Sequence, residues 1–396
     1  MIFRPILDGI DTVAMPIDQI YPADSTAGVC LDDLKHTRVF LAAYSGSKDT
    51  FVAYRRDIER LLLWLWFVRK GTLQAMTRED VSQFIVFATT PPKSWVSEQV
   101  CHRYLDGDMA SPNQKWRPFA ARGKPISEYR LSNASIKSMM AIVSTFLTFL
   151  VQEQYLVQNV MLLVRQKNRF VSKAQESIIT RKLTNTMWCS VIDAAMTRAE
   201  NGFEGERNLF ILSAFYLMGL RISELSVTDR RMPMMGDFVK DDHGCYWFSV
   251  VGKGNKYREI AVCDQMLSAL SRYRQCMGLR SMPLRSEQTL LLPKVKGRGG
   301  LGSRQIRFLV MGAFQEAVDK LRERGDNESA DDLSAATVHW LRHTAISQDV
   351  QNRPAEHVRD DAGHENITVT DRYINVSRQH RHQSAKFKQL IPGAEK

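Results

Sequence analysis

The sequence YWFSVVGKGNKYREIAV, residues 246–262, carries the clearest local fold signal in the chain. Aromatic and β-branched residues dominate 246–251 and 257–262, and a turn rich in Gly and Asn separates them at 252–255. Two such runs around a turn of this composition predict a β-hairpin. The hairpin is isolated, because the sequence on both sides of it has helical rather than strand periodicity.

Helical periodicity precedes the hairpin at 183–199 and 206–218 and resumes from 265. In the first half of the chain, apolar residues recur at three- and four-residue spacing from Phe51 to Leu65, and Thr77 and Ser132 stand where further helices begin. The sequence therefore predicts a mainly α protein with a small β-sheet, of the α+β class.

Three regions are expected along the chain. Residues 1–45 are interpreted as an N-terminal arm with little core of its own, residues 46–175 as a helical domain, and residues 176–396 as a second domain with a basic tail. A basic linker is expected near 165–175. The stretch 91–128 is expected to be irregular and 320–336 to be a surface insertion.

Composition narrows the classes of partner. The chain has 396 residues with 54 Lys and Arg against 43 Asp and Glu, so its net charge of +11 favours a polyanionic partner. Six cysteines without a CxxC pair are expected to be reduced, mostly buried thiols with no zinc. No apolar run reaches the ~18 residues that a membrane span needs, so we expect no membrane partner and a cytoplasmic location.

The motif GLRISEL at 219–225 places an arginine between two helices. Taken alone, Arg221 and Glu224 form an ordinary i, i+3 ion pair. Alternatively, Arg221 and the backbone N–H groups at the helix start bind an anion, and Glu224 orients the arginine.

Lys253 lies in the predicted turn, followed by Lys256 and Arg258. A turn lysine often serves solubility alone. The functional alternative is a mobile tip that brings cations to a phosphate, and Lys256 and Arg258, with Lys167 and Arg169 in the linker, are then candidate DNA contacts.

The motif HWLRHT at 339–344 puts His339 and Arg342 on one helical face. His339 and His343 have a spacing that also serves zinc, but Trp340 occupies the position where zinc proteases have a glutamate, so no metal is expected. Further along, GHENITVTDRYINV at 363–376 contains His364 and Tyr373, each of which alone is typical of capping or packing.

In this order, the motifs resemble the catalytic set of the tyrosine recombinases, the phage integrase family that includes the Xer and Cre recombinases. The resemblance covers roughly residues 180–380, and the first domain is similar to the family's core-binding domain in pattern only. The catalytic residues that it implies are Arg221, Lys253, His339, Arg342, His364 and Tyr373, with Glu224 in support.

The resemblance also implies the chemistry. Tyr373 would attack a DNA phosphate to give a 3′-phosphotyrosyl bond, with no ATP, metal or other cofactor, and a mobile element would be the setting. His339 would be the general base and Lys253 the acid, and His364 would bind the phosphate. The partner would be DNA with specific sites, bound by a clamp of the two domains, with a tetramer on DNA and a monomer or weak oligomer free.

Two other functions stay open at this point: a type IB topoisomerase, which shares this residue set, and a DNA-binding accessory protein without catalysis. The chain also departs from the family pattern. The segment 349–362 is unusually polar, with Arg359-Asp360-Asp361-Ala362 where the family usually has an apolar run ending in Leu, and Gln348 and Asp349 stand near positions that are usually small or apolar.

Overall fold

In a computed structural model, the chain divides into two compact units, Met1–Glu176 and Ser177–Lys396. The described residues are 4–7, 9, 30–105, 112–165, 182–229, 231–252, 257–285 and 287–363. Within them helices predominate and strands are few and short, so the predicted mainly α fold with a small sheet is confirmed.

The first unit is built on helices. They are α1 (Leu31–Ala42), α2 (Lys48–Trp64), α3 (Arg78–Thr89), α4 (Asn133–Gln152) and α5 (Val160–Arg165). A π-helical turn, Leu65–Arg69, extends α2, and Lys70 ends it in the left-handed conformation with φ of 59°.

Two of the predicted helix starts are confirmed by their hydrogen bonds. The Thr77 hydroxyl accepts from the Asp80 N–H at 3.3 Å while the Asp80 carboxylate accepts from the Thr77 N–H at 2.9 Å, so α3 begins with a capping box. Ser132 caps α4 by accepting from the Ser135 N–H at 3.2 Å.

The apolar face of α4 forms much of the core of this unit. Among the described residues, α4 is the single helix with the length and hydropathy that could cross a membrane. Its apolar residues Ile136, Val143, Phe146, Leu147 and Leu150 are buried against the other helices, which is the pattern of a core helix.

Residues before 46 contribute more to this core than the sequence indicated. Leu34, Phe40 and Leu41 of α1 are buried in it. Asp33 is fully buried, and its carboxylate accepts from the Trp66 indole N–H at 2.9 Å. Asp33 therefore fixes α1 to the end of α2, which a periodicity argument alone does not reveal.

The stretch 91–128 is irregular, as predicted, but it is packed rather than loose. It contains 3₁₀ turns at Lys93–Trp95 and Ile126–Glu128 and a two-residue parallel pair of strands, β1 (Val96–Ser97) and β2 (Phe119–Ala120). Its buried aromatic residues are Trp95, Trp116 and Phe119.

In its described residues, the second unit consists of helices and a three-stranded sheet. The helices are α6 (Asn185–Ala199), α7 (Phe203–Met218), α8 (Ile222–Leu225), α9 (Asp264–Cys276), α10 (Ser303–Glu323), α11 (Asn327–Ser334), α12 (Val338–Asn352) and α13 (Ala355–Ala362). The strands are β3 (Phe238–Lys240), β4 (Tyr246–Val251) and β5 (Tyr257–Ala261), after a 3₁₀ turn at Met235–Asp237.

The predicted hairpin is the antiparallel pair β4–β5, with Trp247 opposite Ala261 and Val251 opposite Tyr257. Phe248, Val250 and Ile260 are buried on one face, which is the period-two alternation of a half-buried sheet. Strand β3 was not predicted from the sequence, because its three residues are too few to show a period.

Two expectations need correction. The stretch 320–336 is not a surface insertion alone, because α11 lies within it and buries Ala330 and Leu333 in the core of the unit. The cysteines are not mostly buried: Cys30 and Cys101 are half-buried, and the other four are exposed. Cysteine is a small hydrophobe by type, and its burial depends on positions that spacing does not predict.

Candidate active site

The GLRISEL motif begins where α7 ends. Gly219 terminates that helix in the left-handed conformation, with φ of 58°, which a side chain would disfavour. Arg221 follows immediately before α8, and its backbone N–H donates to the Glu224 carboxylate at 2.7 Å. The tight connection between α7 and α8 therefore fixes the backbone position of Arg221.

Glu224 is a buried carboxylate held by two arginines. Its Oε1 accepts from Arg221 Nη1 at 2.9 Å, and its two oxygens accept from Arg258 Nη1 and Nη2 at 2.7 and 3.0 Å. Burial raises the pKa of Glu224, but hydrogen bonding and charge from Arg258, together with the N–H and charge of Arg221, outweigh burial and leave that pKa below its ordinary value. Glu224 is therefore an ionised anchor for both guanidinium groups.

Arg342 comes from the first turns of α12 and is almost completely buried. Its Nη1 donates to the carbonyl oxygen of Gly219, and its Nη2 donates to that of Ala362 at 2.7 Å. The Arg221 motif, α12 and the end of α13 are joined through this one side chain.

Three arginines converge on the last carbonyls of α13. Arg258 Nε donates to Asp361 O at 2.8 Å, Arg342 Nη2 to Ala362 O, and Arg221 Nη2 to Gly363 O at 3.2 Å. The final carbonyls of a helix have no partner within the helix and carry its negative dipole end, so cations stabilise them. This arrangement concentrates positive charge where the chain leaves α13.

Gly363 makes this approach possible. It caps α13 with φ of 63°, and a Cβ on it would lie 3.0 Å from the side chain of Arg258. Both the backbone conformation and the contact distance therefore require glycine at this position.

The polar residues that depart from the family pattern form a defined cluster. Arg353 donates to Asp349 at 3.2 Å and to Asp361, and the Asp361 carboxylate accepts from the Ala261 N–H at 3.4 Å. This cluster links α12, α13 and β5, next to an apolar contact of Ile346 with Val358 and Ala362.

His339 lies in the first turn of α12, one helical turn before Arg342, and its side chain is exposed. Its ring meets the ring of His343 edge to face, with centroids 4.4 Å apart. The part of the chain that the structure describes contains no group of three or more His, Cys, Asp or Glu arranged to hold a metal ion. His343 is thus a ring neighbour of His339, and the i, i+4 spacing was the signal for this contact.

The structure brings Arg221, Glu224 and Arg342 together and places His339 on the helix that carries Arg342. The remaining predicted site residues lie outside the described residues: Lys253, Lys256, His364, Tyr373, Lys167 and Arg169.

Arg258, a candidate DNA contact from the sequence, makes its hydrogen bonds within the protein. Its guanidinium is committed to Glu224 and Asp361, and its side chain is largely buried. Alternation in β5 was the signal for this placement, because residues 258 and 260 share a face and Ile260 belongs to the core.

Several known proteins are similar to this chain. Residues 186–380 match the model of the phage integrase family. The tyrosine recombinase XerC of Herpetosiphon aurantiacus is 21% identical over 330 residues, which cover 83% of this chain and 85% of that protein. XerC of Lactobacillus leichmannii is 30% identical over 191 residues, covering 47% of this chain and 55% of that protein.

Two solved structures share the fold. The alignment with XerH site-specific recombinase bound to difH substrate covers 96% of this chain and 93% of the XerH chain, with a TM-score of 0.52 and 14% identity. The Tn1549 transposon integrase in complex with circular intermediate DNA covers 90% and 98%, with a TM-score of 0.54 and 14% identity.

The family match and the recombinase fold define the class of this protein as the site-specific recombinases of the tyrosine type. Residues 186–380, within the second unit, are the part of the chain that the phage integrase family describes.

Proposed function

We propose that the chain cleaves and rejoins DNA at specific sites, with Tyr373 as the nucleophile and a 3′-phosphotyrosyl intermediate. The convergence of Arg221 and Arg342 on the end of α13 carries this proposal. His364 directly follows Gly363, and Tyr373 is nine positions further along, so the chain continues from the cationic cluster to the proposed nucleophile.

The two arginines supply charge. In phosphoryl transfer, negative charge on the non-bridging oxygens must be stabilised while nucleophile and leaving group stand in line. Planar guanidinium groups bind such oxygens through two parallel N–H bonds. Arg221 keeps about a third of its side chain exposed although Glu224 holds it, so it is both positioned and accessible.

The other residues have distinct roles in this proposal. His339 accepts the proton of the Tyr373 hydroxyl as the tyrosine oxygen bonds to phosphorus, and Lys253 donates a proton to the departing 5′-oxygen. His364 donates a hydrogen bond to the same phosphate. Glu224 and Arg258 do not touch DNA but hold Arg221 and the end of α13 in place. The phosphotyrosyl ester conserves the energy of the broken bond, so rejoining by a 5′-hydroxyl needs no ATP.

The partner in this proposal is double-stranded DNA with specific recombination sites. The chain would act in the cytoplasm, on the DNA of a mobile element, as a monomer or weak oligomer that assembles into a tetramer on its sites. The net charge of +11 and the likeness to recombinases solved with DNA support this partner.

A covalent trapping experiment tests the nucleophile. The wild-type chain should give a protein–DNA adduct on a denaturing gel after incubation with a nicked suicide substrate. The substrate is made from the DNA that flanks the gene for this protein. Tyr373→Phe should bind the same DNA in a gel shift and give no adduct, because only the phenolic oxygen is lost. Tyr246→Phe, on β4, is the matched control and should keep the adduct. An adduct that persists in Tyr373→Phe would overturn the assignment.

A further inference from the structure

Two cysteines flank the open end of the β4–β5 hairpin, Cys245 just before β4 and Cys263 just after β5. Trp247 is opposite Ala261, and continuing this antiparallel register outward by two residues pairs Cys245 with Cys263. Residues directly opposite in antiparallel strands point to the same face of the sheet. Phe248, Val250 and Ile260 point to the buried face, and residues 245 and 263 belong to the other one.

The hydrogen bonds show which type of pair this is. The Val262 N–H donates to the Tyr246 carbonyl at 3.0 Å, so Tyr246, the first residue of β4, and Val262, just after β5, form a hydrogen-bonded pair. The next pair outward, 245 with 263, is then of the non-hydrogen-bonded type, in which Cα atoms lie only about 4.5 Å apart. A disulfide needs a Cα separation of about 4.4 to 6.8 Å.

Cys245 is still part of the extended ladder. Its carbonyl accepts from the Asp241 N–H at 2.9 Å, and its N–H donates to the Asp241 carboxylate at 2.8 Å. Cys263 has extended dihedral angles, φ −78° and ψ 161°, and its thiol does not cap the helix that follows. Both cysteines are exposed and both are free thiols in this structure.

We propose that Cys245 and Cys263 are a site of oxidative modification and form a reversible disulfide with each other. The oxidant is a low-molecular-weight disulfide, such as glutathione disulfide. One thiolate attacks a sulfur of the oxidant and releases one glutathione thiol. The second thiolate then attacks the mixed disulfide and releases the other. The protein loses two protons and two electrons, and the oxidant gains them.

The bond would close residues 246–262, which include the turn with Lys253, into a covalent loop. Any effect of the bond on DNA cleavage rests on the proposed function of Lys253. Formation of the bond does not, so it is measured directly on the protein.

The experiment treats the purified full-length chain with increasing glutathione disulfide, blocks remaining thiols by alkylation, and analyses protease digests by mass spectrometry without reduction. We expect one cross-linked peptide pair joining Cys245 to Cys263, with loss of alkylation at these two cysteines and no glutathione attached to either. Dithiothreitol should restore all six.

Three variants serve as controls. Cys245→Ser and Cys263→Ser should each lose the cross-link and leave the remaining cysteine as a mixed disulfide with glutathione, whereas Cys276→Ser should form the Cys245–Cys263 cross-link as the wild type does. Cys276 is an exposed cysteine on α9 with no opposing cysteine in the sheet. The proposal is overturned if the wild type gives only mixed disulfides at residues 245 and 263, or if either cross-links mainly to Cys189 or Cys276.

Discussion

At the scale of single residues, the site depends on one carboxylate. Glu224 is completely buried and would oppose folding if it were unpaired, since a lone buried charge costs several kcal/mol. Arg221 and Arg258 offset that cost, and the same hydrogen bonds fix both guanidinium groups. Glu224 does no chemistry in the proposed reaction, but it determines the position of Arg221, the cation that would contact the phosphate.

Replacement of Glu224 tests this dependence. Glu224→Gln removes the negative charge between two cations, and we expect the catalytic unit to lose about 3 kcal/mol of stability. Because the folded-state pKa of Glu224 is depressed, its contribution is present above the ordinary value of 4.5 and is lost as pH falls through the folded-state pKa. The difference in unfolding free energy between wild type and variant should therefore narrow below pH 4.5.

Urea unfolding across pH measures this difference. Glu316→Gln is the control, because Glu316 pairs with Arg198 on the surface, and its loss should change stability little. Equal effects of the two substitutions would show that the buried pair contributes no more than a surface pair.

Replacement of the arginines tests their proposed catalytic role. Arg221→Lys or Arg342→Lys keeps a positive charge but loses the planar fork that binds two oxygens at once. We expect adduct formation with the suicide substrate to slow by roughly 10²- to 10³-fold for each variant. Arg359→Lys, whose arginine pairs with Asp360 on the surface, is the control. Near wild-type cleavage by Arg221→Lys or Arg342→Lys would assign that arginine a structural role only.

Among the helices and strands, the sequence predicted those features that depend on residues close together in the chain. The β4–β5 hairpin and the caps at Thr77 and Ser132 are local features, and each is confirmed. The contact between Arg221 and Gly363 joins residues 142 positions apart, and no spacing rule encodes it. The motifs at 219–225, 339–344 and 363–376 could be recognised from sequence as a set. The backbone carbonyls that accept hydrogen bonds from the arginines of these motifs could not.

The polar end of α12 and α13 is the element where family pattern and structure differ most. Gln348 donates to the Tyr216 hydroxyl at 2.8 Å, and that ring stacks on Trp188 with centroids 3.8 Å apart. Arg353 bridges Asp349 and Asp361. These polar side chains therefore have partners, and their hydrogen bonds and ion pairs add to the apolar contact of Ile346 and Val350 with Val358 and Ala362 between the two helices.

The two aspartates of this cluster should behave oppositely. Burial raises the pKa of Asp349, Arg353 lowers it, and Asp361 raises it further, with a net increase. Its ionised form thus opposes folding at neutral pH, and the difference disappears as pH falls toward 3.8 and the carboxyl is protonated in both states. Asp349→Asn should therefore preserve or raise the thermal midpoint at pH 7.

Asp361→Asn should lower the midpoint, because it weakens the pair with Arg353 and the contact with the Ala261 N–H. Thermal unfolding of both variants at pH 7 and pH 4 makes the comparison. A loss of stability in Asp349→Asn as large as that in Asp361→Asn would mean that Arg353 depends equally on both carboxylates.

The molecule as a whole has a net charge of +11 and two compact units, which favours contact of both units with DNA phosphates. The proposed catalytic residues all lie in the second unit, yet the first unit has its own core and is thus able to fold as a separate body. If both units contact DNA, most of the affinity should come from phosphates. The logarithm of the binding constant should then fall with the logarithm of salt concentration, with a slope of roughly 0.9 for each phosphate neutralised.

Residues 177–396, expressed alone, should then bind a specific site more weakly and with a shallower salt slope than the full chain. Gel shifts over a salt series measure both quantities, and circular dichroism shows whether the isolated unit is folded. A folded second unit that matches the full chain in affinity and slope would exclude the first unit from DNA binding.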